Sequence, residues 1–368
     1  MTISREEFER RYVGIRDKME KDDIDCLLVV GLSDDFSRGN IRYVTGSGRG
    51  GCCVFPREGR PVLFTGPNQS SSPKMPKMAA AFELLELRET PDPIEQVKRE
   101  LMRLYRGNRV GVVGMSCISV PIYLAAREIA QDRLVDSTEI FERMRSIKSL
   151  EEIEKTRIAA GVADQVYAML RETIRPGLKD YQIYAEVKKV VYGMGCDYSF
   201  DLIDAKGTTM NMTYWPTGET LEASGTLFIE ITPAYDGYYA QLPVTLPVIE
   251  FSAETRKMVN VWKEANQAAL GILRPGTIVS DLYETLVNAV RTNGYLSPLR
   301  PGHAIGLDVL DFWSITESNT VELEPGMIVA IHPSIMSEMW GSACGMGYTY
   351  LITETGAGKL SKVDLSTL

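Results

Sequence analysis

The chain has 368 residues, 44% hydrophobic and 24% charged, the make-up of a globular protein long enough for two domains with cores of their own. A formal charge of −9 with no basic stripe excludes a nucleic-acid surface, because phosphate binding needs clustered Lys and Arg to displace counterions. No apolar run approaches the roughly 18 residues of a membrane span, and six cysteines without C-x-x-C spacing read as reduced thiols, so a cytoplasmic protein without a membrane partner is expected.

In chain order, the charged start MTISREEFERR has a helical pattern and lacks the apolar stretch of a signal peptide. The runs CLLVVG (26–31), GCCVFP (51–56), PVLFTG (61–66) and VGVVGM (110–115) are bounded by Gly and Pro and read as buried strands. Helical spacing over 93–107 and 121–131 alternates with them, which predicts an α/β N-terminal domain. Between the first two strands, GSGRGG (46–51) lacks the strand-turn-helix setting of a dinucleotide fingerprint and reads as a mobile loop.

Near residue 147 the pattern changes to one long amphipathic helix, with Ser149 and Glu152 spaced as a capping box. This places the boundary between a domain of residues 1–147 and one of residues 148–368. The second domain contains an internal echo. IRPGLKDYQIYAEVKKVVYGMG and LRPGTIVSDLYETLVNAVRTNG match at Pro176/Pro275, Gly177/Gly276, Tyr184/Tyr283 and Gly195/Gly294, at a constant offset of 99 residues. A long period used only twice implies two α+β halves about a pseudo-twofold axis, with chemistry expected near that axis.

Only two histidines occur, His303 in PGHAIGLDVLDFW and His332 in EPGMIVAIHPSIM. The first follows a glycine in a turn. The second continues an alternation in which Ile328, Ala330 and His332 share one strand face. An imidazole with a pKa near 6.5 can take and return a proton at neutral pH, so both are acid/base candidates. Glu230, in the apolar run TLFIEIT, needs a partner inside a strand. Two adjacent imidazoles would separate in pKa into one acid and one base, with Glu230 offsetting the positive charge.

Four stretches, LFIEITPAYDGYYAQLPVT (227–245), PGHAIGLDVLD (301–311), LEPGMIVAIHPSIM (323–336) and GMGYTYLITETG (345–356), resemble the pita-bread family of methionine aminopeptidase, aminopeptidase P, prolidase and creatinase. NIRYVTG (40–46) and RSIKSLEEIE look like signatures of the prolidase and aminopeptidase P branch, so the resemblance covers nearly the whole chain. It implies a creatinase-like α/β N-terminal domain, an α+β pita-bread C-terminal domain and a homodimer in which a neighbour's N-terminal domain closes the site. Metallopeptidases of the family bind two metals through two Asp, one His and two Glu. Carried onto this chain, those positions are Glu230, Gln241, His303, His332 and Gly347, so one ligand type of five is kept.

A paired-metal site needs bridging carboxylates to offset about four positive charges. With Glu230 as the one carboxylate, no metal and no cofactor are expected. One metal held by His303, His332 and Glu230 stays open as a recognised ligand set. The family's second imidazole after the ligand His is Leu310, and its proton-shuttling His falls near Thr213. Creatinase, which the Gly237–Tyr238–Tyr239 run resembles, and ectoine hydrolase are metal-free relatives. The expected function is therefore metal-independent hydrolysis of a C–N bond in a small polar nitrogen compound, with His303, His332 and Glu230 catalytic and Tyr239, Gln241, Trp215, Asp311 and Arg49 binding substrate. Phe312, Trp313 and Trp340 are further aromatic candidates. Elimination on a small carboxylate or zwitterion, an Xaa-Pro metallopeptidase and a non-catalytic binding module are the alternatives.

Overall fold

A computed structural model describes residues 2–66, 79–207, 212–338 and 341–368. Trp340 lies outside them. The chain divides into two compact units, Met1–Arg145 and Ser146–Leu368.

The first unit is built on six strands, β1 (Ile24–Gly31), β2 (Gly51–Pro56), β3 (Val62–Thr65), β4 (Glu86–Glu89), β5 (Arg109–Val113) and β6 (Leu134–Asp136), in the order β4-β3-β2-β1-β5-β6. β1 is buried over its whole length, which explains its continuous apolar run in place of an alternation. Helix α1 (Arg5–Lys21) starts at Ser4, whose Oγ accepts the Glu7 N–H at 3.1 Å. It packs on one face of the sheet with α2 (Gly39–Thr45), through the Tyr12 ring against Phe55 and the Tyr12 hydroxyl donating to the Val44 carbonyl. After the short α3 (Ala79–Phe82), α4 (Pro93–Leu104) and α5 (Val120–Ala130) bring Val97, Leu101, Ala126 and Ala130 onto the opposite face against Cys26, Leu28, Val30 and Val54. Helix α6 (Thr138–Ser146) follows the last strand. The four strands and two helices expected in this region are present; the short α2, α3, β4 and β6 carry too few residues for a period to show.

The second unit opens with α7 (Leu150–Thr173), whose Ser149 and Glu152 form the expected capping box. The internal echo is a structural repeat. Helices α8 (Asp180–Gly193) and α10 (Val279–Thr292) begin and end 99 residues apart. Gly177 and Gly276 precede them with φ of 87° and 88°, and Gly195 and Gly294 follow with 84° and 81°, positions where a left-handed backbone favours glycine. Gly177 N–H donates to the Leu221 carbonyl and Gly276 N–H to that of Leu323, both at 2.9 Å.

The strands of this unit are β7 (Tyr198–Ser199), β8 (Leu202–Asp204), β9 (Thr226–Ile231), β10 (Pro233–Tyr235), β11 (Tyr238–Tyr239) and β12 (Leu242–Pro247) in the first half. After α9 (Ala253–Ile272) and α10 come β13 (Gly302–Ala304), β14 (Ile328–Ile331), β15 (Ser334–Met336), β16 (Ala343–Gly345), β17 (Tyr348–Thr353) and β18 (Gly356–Lys359). The orders β12-β9-β8 and β13-β14-β17-β18 are antiparallel throughout. Ile229, Ile231, Leu242, Ala304, Val329, Ile331, Tyr348 and Tyr350 face the core shared with α7–α10. Strand alternation turns their neighbours Glu230, Gln241, His303, Ala330 and Thr349 to the other face.

Candidate functional site

Register brings these neighbours together. His303 pairs with Ala330 and Ala330 with Thr349 in one row across β13, β14 and β17. Thr349 Oγ1 accepts the Gln241 N–H at 2.8 Å and donates to the Gln241 carbonyl at 2.9 Å, which stitches that row to the first half. Gln241 Nε2 donates to Glu230 Oε2 at 3.1 Å. Just past the β13–β14 pairing, His332 N–H donates to the Pro301 carbonyl at 2.8 Å, and its ring meets that of His303 edge-on with centroids 5.2 Å apart. Glu230, Gln241, His303 and His332 thus share one face.

Electrostatics differ from the expectation of one charged imidazole offset by Glu230. Burial lowers the pKa of His303 to about 4; the Ala304 carbonyl contact and Asp311 oppose the shift, while Arg300 adds to it. Burial, then the His303 ring and Arg300, hold His332 well below its ordinary value. Burial raises Glu230 to about 7 against the opposing charge of Arg300. Near neutral pH both imidazoles are therefore uncharged, and Glu230 is the group that titrates. Enclosure outweighs the mutual repulsion of two imidazoles because it disfavours the charged form of each from the start.

His303 Nδ1 lies 2.9 Å from the Ala304 carbonyl, a contact that requires a proton on Nδ1 and leaves the Nε2 lone pair free. His332 Nε2 and Gln241 Oε1 are buried without a partner among the described residues. Each such atom costs about 1–3 kcal/mol unless something bonds to it.

Gly347 carries the argument on metal. A Cβ there would lie 2.1 Å from the Ile331 carbonyl oxygen and 2.6 Å from His332 Cβ. The Ile331 carbonyl and the His332 Cα and Cβ close off the space beside Gly347. Glu230 remains as the one carboxylate, facing a neutral amide at Gln241. Among the described residues, no three His, Cys, Asp or Glu side chains are grouped to hold a metal ion. The donor set does not fit a dinuclear centre, and His303, His332 and Glu230 do not form the single-metal triad either.

The other expected binding residues have these surroundings. Tyr239 is fully buried in a core cluster with Ile153, Phe200, Ile305 and Ala330, the last of which pairs with His303. Asp311 is paired with Lys148 at 3.1 Å with both side chains buried, an ion pair that braces the loop after His303. Trp215 is 77% exposed, too open to enclose a ligand within one chain. Arg49 belongs to the first unit, where it lines a pocket. Trp313 packs in the main core and Phe312 lies against it. Burial pushes the Cys344 thiol up to about 12, so it stays protonated at neutral pH. Arg300 was missed. It is exposed, and its charge acts on Glu230, His303 and His332 alike. The only signal in the sequence was its place three residues before His303.

The model of metallopeptidase family M24 matches residues 154–354, and that of the creatinase/prolidase N-terminal domain matches residues 11–147. An uncharacterized peptidase of Bacillus subtilis, YqhT, is 24% identical over 309 residues, covering 81% of this chain and 84% of that protein. An uncharacterized peptidase of Staphylococcus aureus is 26% identical over 199 residues, 53% of this chain and 56% of its own length. Among solved structures, the prolidase from Pyrococcus furiosus superposes with a TM-score of 0.79 at 19% identity, covering 95% of this chain and 99% of that one. Dipeptidase PepE from Mycobacterium ulcerans gives 0.82 at 20% identity, covering 99% and 98%. With more than half of its length matched by the family model and the paired-domain architecture in place, the chain belongs to metallopeptidase family M24 and carries a creatinase/prolidase N-terminal domain.

Proposed function

We propose that this protein is a hydrolase that cleaves the C–N bond of a small substrate at the Glu230, Gln241, His303 and His332 face, without a dinuclear metal centre. Gly347 carries the reading, because its lack of space for a side chain removes a carboxylate that paired metals require. Neutral His303 takes a proton from water through Nε2 as the oxygen attacks the carbon of the C–N bond. Protonated Glu230 supplies a proton to the departing nitrogen, a role its raised pKa suits. Gln241 Oε1 and His332 Nε2 hold polar groups of the substrate, and the charge of Arg300 favours an anionic group there.

A second reading concerns the bond. Prolidases and dipeptidases recur among the structural neighbours over nearly the whole chain, and the relatives by sequence bear peptidase names. On likeness alone, an Xaa-Pro peptide is better supported than a creatine-like compound; the donor set argues against the metal chemistry that goes with it. The deciding experiment incubates chelator-treated and manganese-reconstituted protein with an Xaa-Pro dipeptide and with a panel of small amides, betaines and amidines. Products are read by mass spectrometry, where addition of water identifies hydrolysis and loss of a neutral fragment identifies elimination. Turnover by the chelated protein, lost by about 10²-fold or more in His303→Ala, is expected. Dipeptide cleavage that appears only with metal would establish the metallopeptidase and overturn the metal-free mechanism.

A further inference from the structure

Where β12 meets β16 and β17, two threonines join the halves of the second unit. Thr245 Oγ1 donates to the Gly345 carbonyl and accepts the Gly345 N–H, both at 3.0 Å. Thr349 Oγ1 makes the same pair of bonds with Gln241, donating to the carbonyl at 2.9 Å and accepting the N–H at 2.8 Å. Between the two, the Gly347 N–H donates to the Pro243 carbonyl at 3.0 Å. Gln241 stands four residues before Thr245, and Gly345 four before Thr349. Each half therefore lends the other one threonine and receives one in return, as a pseudo-twofold relation requires.

The two clips differ in what they hold. Gly345 has no side chain, so Thr245 fixes main chain alone. Gln241 carries the amide whose Nε2 donates to Glu230 Oε2 at 3.1 Å. Thr349 and Gln241 are both buried, so neither clip bond is shared with water. A hydroxyl has one proton and two lone pairs, and Thr349 gives its proton to the Gln241 carbonyl, which leaves none for a substrate. With Gln241 held at both its N–H and its carbonyl, the direction of its Cα–Cβ bond is set. The Glu230 oxygen that accepts the amide serves as the carbonyl oxygen of the protonated acid, so the proton stands on Oε1.

We propose that Thr349 is a positioning residue: through the main chain of Gln241 it fixes the amide on Glu230 Oε2, and thereby which oxygen of the acid carries the proton. The inference rests on the reaction above for the role of Glu230; the hold of Thr349 on the amide is a property of the resting protein. Without the hydroxyl, a buried N–H and a buried carbonyl of Gln241 lose their partners, and the main chain moves to satisfy them. At 3.1 Å the bond to Glu230 lies near the long end of its range, so a shift of about half an ångström breaks it.

Nuclear magnetic resonance of the full chain labelled with 15N-glutamine tests the hold, the Gln241 side-chain amide being assigned by its loss in Gln241→Glu. Its hydrogens are expected to exchange slowly with water in the parent, in Thr245→Val and in Thr349→Ser, and about tenfold or more faster in Thr349→Val. Thr245→Val removes an equivalent clip, so a role in holding the halves together would speed exchange in both valine variants. Where Thr349→Val fails to fold, Thr349→Cys carries the test, because a thiol bonds weakly in the same place. On a C–N substrate found with the panel above, Thr349→Val should lower kcat by about 10- to 100-fold with KM within about twofold, and Thr245→Val should leave kcat unchanged. The inference is overturned by parental exchange in Thr349→Val, by equal acceleration in Thr245→Val, or by an unchanged kcat in Thr349→Val on a substrate that the parent hydrolyses. Fast exchange in Thr349→Val alone, with no C–N substrate cleaved by the parent, supports the hold of Thr349 and strikes the hydrolase reading instead.

Discussion

Glu230 occupies a strand whose other residues are apolar, and taking its carboxylate out of water sets its behaviour. Its pKa of about 7 in the folded chain lies above the 4.5 of the free side chain. Below the lower value both states are protonated and nothing is lost. As pH rises through that window the unfolded chain ionises first, so the native state loses up to ~3 kcal/mol by about pH 7. Glu230→Gln, which mimics the protonated acid, is expected to melt with the parent near pH 4 and clearly above it at pH 8 in parallel thermal scans. For His303, whose folded pKa is about 4, the loss runs the other way: it grows as pH falls from 6.5 towards that value. A base needed neutral and an acid needed protonated together give a bell-shaped kcat/KM with limbs near 4 and 7, and Glu230→Gln should lose the alkaline limb with most of its rate. Gly347→Ala is expected to cost about 1–3 kcal/mol in denaturant unfolding, because backbone as well as His332 must shift to admit one methyl group. The sequence showed that these positions had changed type. It did not show that His332 lies against Gly347, since that approach is made between the ends of β14 and β17.

Among the elements, α7 shows where local signals stop. Ser149 and Glu152 announce its start through their spacing, and the reciprocal bonds form: Glu152 Oε2 accepts the Ser149 N–H at 2.7 Å. The other oxygen of Glu152 accepts the buried Tyr238 hydroxyl at 2.8 Å, tying the cap to β11, 86 residues away. Tyr238→Phe leaves the helix sequence untouched, yet is expected to cost about 1–3 kcal/mol, read as a lower Tm, because it strips a bond from a buried carboxylate. The repeated helices α8 and α10 were legible for the opposite reason. Their turns depend on glycines at fixed positions, and a left-handed backbone leaves its mark on the residue type itself.

In the molecule as a whole, the buried pair Lys148–Asp311 joins the entry of the second unit to the loop after His303. Lys148→Met alone is expected to destabilise by about 3–5 kcal/mol by taking the ammonium from a buried carboxylate, and the double change Lys148→Met with Asp311→Leu should recover most of it in a denaturant cycle. Asp311 was read from the sequence as a substrate ligand because it neighbours the histidine loop; its partner, 163 residues away, cannot be seen in a linear pattern. The sequence by itself determined an α/β and an α+β domain, the repeat and its turns, and the changed donor types at four of five positions, because periodicity, glycine placement and side-chain chemistry are local properties. Tertiary structure decided which of those residues meet, that Tyr239 is core and Trp215 exposed, that Arg300 bears on the site, and that both imidazoles are neutral while Glu230 titrates near neutral pH. Register across separate strands and the exclusion of water exist only once the chain has closed on itself.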